Sequence, residues 1–221
     1  MTAYPPYPRL IKGAIVVLDS SGATVSSTIP FQYNPESLSR TLQVQAASNE
    51  GGERMEALRL EGAPVETFKL DVEIDATDEL EKGQEPAVSL GIYPQLSALE
   101  TLIYPTSDQV RKNMQLADKG TLEILPMEAP MTLLVWGDKR LLPVRITDFS
   151  ITEEAYDINL NPIRAKVSLG LRVLNYNDLQ WNQRASRLFM AHHKSKERMA
   201  RKSSVSNPSK ITGVNVNSRL R

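Results

Sequence analysis

The 221-residue chain has no cysteine and only two histidines, the adjacent pair His192 and His193. Without cysteine there is no disulfide, no thiolate nucleophile and no cysteine-ligated zinc. Neighbouring residues of a helix point about 100° apart, so two adjacent histidines cannot chelate one metal together. A Ser-His-Asp triad needs a histidine oriented by a carboxylate beside a nucleophile elbow, and this pair lies in a basic helical stretch far from any such elbow. The nucleotide motifs GxxxxGK[ST] and GxGxxG are missing as well. No apolar run approaches the roughly 18–20 residues of a membrane span. The opening MTAYPPYPRL has neither the charged nor the apolar region of a secretory signal, so none is expected. These absences leave no catalytic residue, cofactor, metal or small-molecule substrate to expect.

Net charge is absent too, with 26 Lys+Arg against 26 Asp+Glu, but the balance is uneven along the chain. From Gln183 onward there are ten basic residues and one acid, Glu197, a net +9 that leaves −9 on residues 1–182. An acidic body and a basic C-terminal arm suggest separate partners. A solvated helix running into a disordered tail explains the same charges.

What is present is a β-rich body, 41% hydrophobic and large enough to bury a core. Ile11–Leu18 and Thr24–Tyr33, separated by Asp19-Ser20-Ser21-Gly22, read as a hairpin. Asn34-Pro35-Glu36-Ser37 stops it, with Asn34 offering an Asx turn and Pro35 a preset φ. Leu38, Leu42 and Val44 share one parity and predict a strand leading out of that turn. Residues 46–57, with Gly51-Gly52, read as a long loop.

Phe68, Leu70, Val72 and Ile74 then alternate with Lys69, Asp71, Glu73 and Asp75, which predicts a strand with one dry and one charged face. The acids invite a cation-site reading, together with Asp78, Glu79 and Glu81. The oxygen-rich, glycine-bearing loop of an EF-hand is missing, and a solvated face is expected instead. Val88, Ile92, Leu96, Leu99 and Ile103 fall at helical spacing, with a helix over roughly Pro94–Tyr104. Asp108–Lys119 is a weaker helix or a loop.

Met131–Trp136 and Leu141–Ile146 flank the turn at Gly137-Asp138 as a second hairpin. Val144 and Ile146 share one parity but Phe149 and Ile151 the other, which predicts a bulge near Thr147-Asp148. Tyr156, Ile158 and Leu160 alternate up to Asn161-Pro162, and Ala165–Val173 forms a last long strand. Trp136 is expected in the core and Trp181 under a terminal helix. That helix covers Asn177–Lys202, opened by capping-box spacing between Asn177 and Gln180 and striped by Trp181, Ala185, Leu188 and Phe189. From Ser203 the chain is polar and tail-like. The fold class is mainly β (α+β), an antiparallel sandwich or partly closed barrel with one packed helix and a C-terminal helix. The expected divisions are 1–176, 177–202 and 203–221.

Two stretches carry a resemblance. FQYNPESLSR (Phe31–Arg40) resembles the N-terminal signature of contractile injection system tube proteins. Within residues 126–174, PMTLLVWGDKRLLPVRITDFSITEEAYDINLNPIRAKVSLGLRVL is similar to the second half of the same domain. It has a Trp-Gly hairpin, then T-x-F-x-I-T-E-x-A-Y-D, then an N-P-I-R-A-K-V run. The resemblance spans roughly residues 8–176. It implies a phage tail-tube-like fold assembled into rings, six copies by family pattern, with no catalytic residues. Phe31, Tyr33, Asn34, Pro35, Leu38, Pro162, Arg164, Ala165 and Val167 match the shared motif and take structural roles by that resemblance.

A plain tube subunit is usually shorter and lacks a basic arm, and residues 177–221 hold no LysM pattern. A tube domain with a terminal arm therefore resembles the adaptor between tube and baseplate, with a repeating or initiating inner-tube subunit as the alternative. The partners so implied are further copies of the chain, the inner-tube protein, the spike hub and other baseplate proteins, met in the bacterial cytoplasm during assembly. Trp181, Leu188, Phe189, Lys194, Lys196, Arg198, Arg201 and Lys202 are the candidate partner-binding residues. Two other readings of the +9 arm are nucleic-acid binding and attachment to anionic lipid. Aromatics for base stacking are limited to Trp181 and Phe189, both on the apolar stripe.

Overall fold

The structure is a computed structural model that describes residues 11–19, 22–46, 59–120, 129–179 and 183–203. Its strands are β1 (Ala14–Leu18), β2 (Val25–Pro30), β3 (Ser39–Gln43), β4 (Val65–Asp75), β5 (Thr132–Trp136), β6 (Arg140–Tyr156) and β7 (Pro162–Val173). They form one antiparallel sheet in the order β2-β1-β5-β6-β7-β4-β3. The expected mainly β class is present, as one continuous sheet rather than two separate ones. Its two halves meet in β6. Residues Arg140–Val144 pair with β5, and residues Val144–Tyr156 pair with β7. Buried side chains of both halves, among them Ile15, Leu134 and Leu142 on one side and Phe68, Val167 and Leu171 on the other, belong to one core.

The parity change in β6 is a bulge. Ile146 faces Leu171 and Asp148 faces Gly170, so Thr147 is left over. Gly170 is required there, because a Cβ at that position would lie 2.4 Å from an Asp148 carboxylate oxygen.

Alternation sets the β4–β7 pairing as well. Phe68, Leu70, Val72 and Ile74 lie opposite Leu171, Leu169, Val167 and Ala165 on the buried face. On the wet face Asp71, Glu73 and Asp75 lie opposite Ser168, Lys166 and Arg164. Ser168 Oγ donates to Asp71 at 2.5 Å, Lys166 approaches Glu73 at 3.6 Å, and Arg164 Nε donates to Asp75 at 2.7 Å. The acids are thus cross-strand partners. Burial alone would raise the pKa of Asp75, but hydrogen bonds from the Thr77 hydroxyl and amide and from Arg164 outweigh it and hold the carboxyl below its usual value.

Among the described residues five helices accompany the sheet: α1 (Thr77–Glu81), α2 (Ala87–Leu90), α3 (Tyr93–Glu100), α4 (Ser107–Asp118) and α5 (Arg184–Ser203). Ile92, Leu96 and Leu99 are buried as expected, but Val88 and Ile103 are exposed. Gly91, at φ +57°, ends α2, and a Cβ there would lie 2.2 Å from the Pro162 carbonyl oxygen. After Glu100 the chain tightens to three-residue bonds, Leu102 N–H to Leu99 and Ile103 N–H to Glu100, so Leu102 turns inward. The Asp108–Lys119 stretch is a helix, opened by a capping box between Thr106 and Gln109.

The strand expected after Asn34-Pro35 is present as β3, an end strand paired with β4 on which Leu42 is exposed, as is Val44 just beyond it. Two expectations are corrected. Ile158 and Leu160 are not in a strand, since β6 ends at Tyr156 and both side chains face solvent. The terminal helix begins at Arg184, not Asn177. Asp178 accepts bonds from the Asn175 amide at 3.1 Å and Arg172 at 2.7 Å, and these hold residues 175–178 in a turn. The 46–57 loop, apart from Ala46, lies outside the described residues, as do Gln180, Trp181 and the tail beyond Ser203.

Candidate assembly interface

The first motif folds around the end of the β1–β2 hairpin. Phe31 is fully buried and packs against Trp136 with ring centroids 6.4 Å apart. Its amide donates to the Gly13 carbonyl, which extends the ladder by one bond. Gln32 then reaches the end of β4, its amide group donating to Asp75 O at 2.6 Å and accepting from Asp75 N at 2.8 Å. Tyr33 is half exposed.

Asn34 does not cap its own turn. Its Oδ1 accepts from Gly13 N–H at 2.8 Å and its Nδ2 donates to Ile11 O at 3.0 Å. A side-chain amide thus imitates a further residue of strand pairing. Asn34-Pro35 also does not join two paired strands, because β2 and β3 stand at opposite ends of the sheet. Leu38 packs partly buried against the core.

The second motif sits where β7 meets the helical layer. Pro162 is buried, and its carbonyl accepts from Ile92 N–H at 2.8 Å. Ala165 and Val167 are core residues, and Arg164 is the partner of Asp75. Pro162 therefore ties the sheet to the helical layer, whereas Phe31, Asn34 and Arg164 bond within the sheet and its borders.

Helix α5 is docked on the body. Ala185, Ser186 and Phe189 are buried, Leu188 and Met190 partly so. Phe189 belongs to the main core, meets Tyr176 edge-on at 5.9 Å and stacks on His193 at 6.4 Å. Arg184 donates to Ala23 O at 2.6 Å. His192 Nδ1 lies 3.1 Å from Lys139 O. Because a carbonyl only accepts, this nitrogen carries the proton. Burial lowers the pKa of His192, and Lys196 nearby adds to the effect.

Lys196 is spoken for within the chain. Its Nζ lies 3.0 Å from one oxygen of Glu66, whose other oxygen takes Arg40 Nε at 2.5 Å. The Glu66 side chain is only 4% exposed, whereas both cations are 32% exposed. Arg40 also lies 5.9 Å over the Phe68 ring. Sequence reasoning passed over Glu66 and Arg40. The signal was parity: Glu66 shares the buried face of β4 with Phe68 and Leu70, and an acid there requires a cation. Lys194, Arg198 and Lys202 are exposed on α5. Arg201 is also exposed and takes part in an interaction. Trp181 lies outside the described residues.

The seven-stranded sheet with its helical flank defines a β-rich domain. The sequence model of the contractile injection system tube protein family matches residues 9–181. The chain belongs to that family, whose members are structural parts of phage-tail-like particles. No curated protein matches it at a significant level. Solved structures with some likeness include the tail of an empty gene transfer agent particle computed with helical refinement and C6 symmetry. It shows 13% identity and a TM-score of 0.29, covering 73% of this chain and 90% of that one. The virion of a native gene transfer agent particle gives 12% and 0.28, with coverage of 73% and 90%. Likeness at that level bears on neither fold nor assembly here.

Proposed function

We propose that this chain is a ring-forming adaptor at the base of a contractile injection particle, joining the inner tube to the spike hub. The observation that carries the reading is α5. It lies wholly beyond the family-matched span of residues 9–181. It is nonetheless built into the body through Phe189 and the Lys196–Glu66 pair. A subunit whose only task is to repeat along a tube has no need of a docked basic helix. Here α5 displays Lys194, Arg198 and Lys202 to solvent, a surface suited to an acidic neighbour.

Ring formation draws on the ends of the sheet. β2 and β3 each have a single strand partner, and their residues are mostly exposed. Unpaired strand edges of this kind are association surfaces. Six copies per ring is the number the family resemblance implies.

Copy number per particle tests the assignment. Quantitative mass spectrometry of purified particles should find one ring's worth of this chain against many copies of the tube subunit. Full-length chain carrying Lys194→Glu, Arg198→Glu and Lys202→Glu should fold and form rings but fail to enter particles. A copy number that scales with tube length overturns the adaptor reading in favour of the repeating subunit. Normal entry of the triple variant removes α5 from the contact. Nucleic-acid binding predicts something different again, namely affinity falling steeply with salt.

A further inference from the structure

The β6–β7 connection is a short turn that holds two large aliphatic side chains in water. Ile158 is 99% exposed and Leu160 73%. The turn itself is tightly bonded. Asp157 Oδ1 accepts from the amides of Asn159 at 2.7 Å and Asn161 at 2.8 Å, and Oδ2 accepts from Asn161 Nδ2 at 2.8 Å. Asp157 N–H donates back to Asn161 O at 2.9 Å. Asn161 Nδ2 also reaches Ser89 O at 3.4 Å, which ties the turn to α2. Leu160 sits at φ +63°, a region a leucine rarely adopts. A turn built for solvent alone would carry glycine or asparagine at that position. Around it Val88, Leu90, Tyr93 and Tyr156 are also exposed, so this end of the molecule is an apolar patch with a rigid projection.

The same chain carries a receptor of matching chemistry. An open groove of about 390 Å³ runs between β2 and α3, lined by Ile29, Pro30, Phe31, Ile74, Pro94 and Leu99 among others. Its lining is almost wholly apolar, and its volume is that of a small-ligand pocket, room for two aliphatic side chains. One cation stands beside the groove and acids stand beside the turn. Lys12 bonds the carbonyl of the groove residue Gln32 at 2.9 Å, whereas Glu153, Glu154 and Asp157 border the turn.

Resting on the reading that the chain assembles with its own copies, we propose that the Ile158/Leu160 turn of one copy plugs into the β2–α3 groove of the next. The contact is heterologous, since plug and groove are different surfaces, and it therefore propagates around a ring or along a stack. Rigidity of the turn lowers the ordering cost of binding.

Because the chain has no cysteine, single introduced cysteines report one pairing at a time. Full-length Ile158→Cys is mixed with full-length Gln95→Cys, a groove position, and oxidised; Gln115→Cys on α4 is the control partner. Disulfide-linked dimer is expected at least tenfold faster with Gln95→Cys than with Gln115→Cys. Ile158→Asp, at a fully exposed position, should keep the wild-type denaturation midpoint and need at least tenfold more protein to assemble. Equal cross-linking to both partners, or intact assembly of Ile158→Asp by native mass spectrometry, overturns the plug while the ring reading stands. A wild-type chain that is monomeric at every concentration overturns both. Cross-linking of Ile158→Cys or Tyr7→Cys to Gln95→Cys within one monomer puts a segment of the same chain in the groove and also overturns the proposal.

Discussion

Lys196→Met tests whether α5 is latched to the sheet by the carboxylate of Glu66. Breaking a fully buried ion pair by removing one partner costs about 3–5 kcal/mol, whereas an exposed pair contributes about 0–1 kcal/mol. This cluster lies between those limits. Glu66 is buried, but Lys196 is 32% exposed and Arg40 remains on the other oxygen after the substitution. The expected cost of Lys196→Met is therefore about 1–2 kcal/mol, roughly a five- to thirtyfold shift in the folded population. Glu66→Met should cost less than about 1 kcal/mol, because both cations can swing into water and methionine packs on the apolar face. In the double variant the two losses should not add, with a coupling of about 1–2 kcal/mol. Urea denaturation measures the total, and hydrogen exchange of the Arg184–Ser203 amides locates it. A coupling below about 0.3 kcal/mol, with α5 exchange unchanged in Lys196→Met, would refute the latch.

Three further outcomes follow from the same geometry. Phe189→Ala should destabilise the whole chain by about 3–5 kcal/mol, since Phe189 belongs to the main core; a midpoint unchanged in urea would mean that α5 is an independent appendage. Asn34→Leu should cost about 1–3 kcal/mol through the unpaired Gly13 N–H and Ile11 O, seen as faster exchange at Gly13. Acidification should loosen α5. The pKa of His192 is lowered in the folded chain, so the unfolded chain binds more protons as pH falls below the ordinary histidine value. Stability should thus drop from pH 7 toward pH 5, over the range where carboxylates stay mostly ionised. His192→Asn, which keeps a donor for Lys139 O, should flatten that part of the profile. An unaltered profile would show that other groups control it.

Much of the sheet was legible because alternation is a strong signal wherever one face is dry. The β4 stripe and the bulge at Thr147 came from parity alone, and the hairpin at Gly137 from turn residues between two apolar runs. Pairing was less legible. Asn34-Pro35 has the composition of a hairpin turn, yet the strands it separates stand at opposite ends of the sheet. Local turn chemistry does not specify which distant strand is nearest. Leu42 obeys the alternation of a strand and lies in β3, whereas Ile158 and Leu160 continue the alternation of β6 past its end at Tyr156, because periodicity does not mark where pairing stops. The terminal helix was legible through the spacing of Ala185, Leu188 and Phe189, but its start was displaced by Asp178, which bonds backward to Asn175 and Arg172 rather than forward into a helix. Lys196 looked like an outward charge because its partner stands 130 residues earlier in the chain.

The shared strand β6 makes the molecule a continuous load path. Its 17 residues span roughly 55 Å at strand rise. They run unbroken from the β5 hairpin to the turn that carries Ile158. A pull between those two ends acts along the strand, so it shears the β5 and β7 ladders together instead of peeling bonds one at a time. The bulge at Thr147 lies within the β7 ladder, just past the last β5 pair at Val144, where the strand can bend while pairing with β7 resumes at Asp148. A subunit held by its neighbours at opposite ends of this strand would transmit force through its backbone while its core stayed packed.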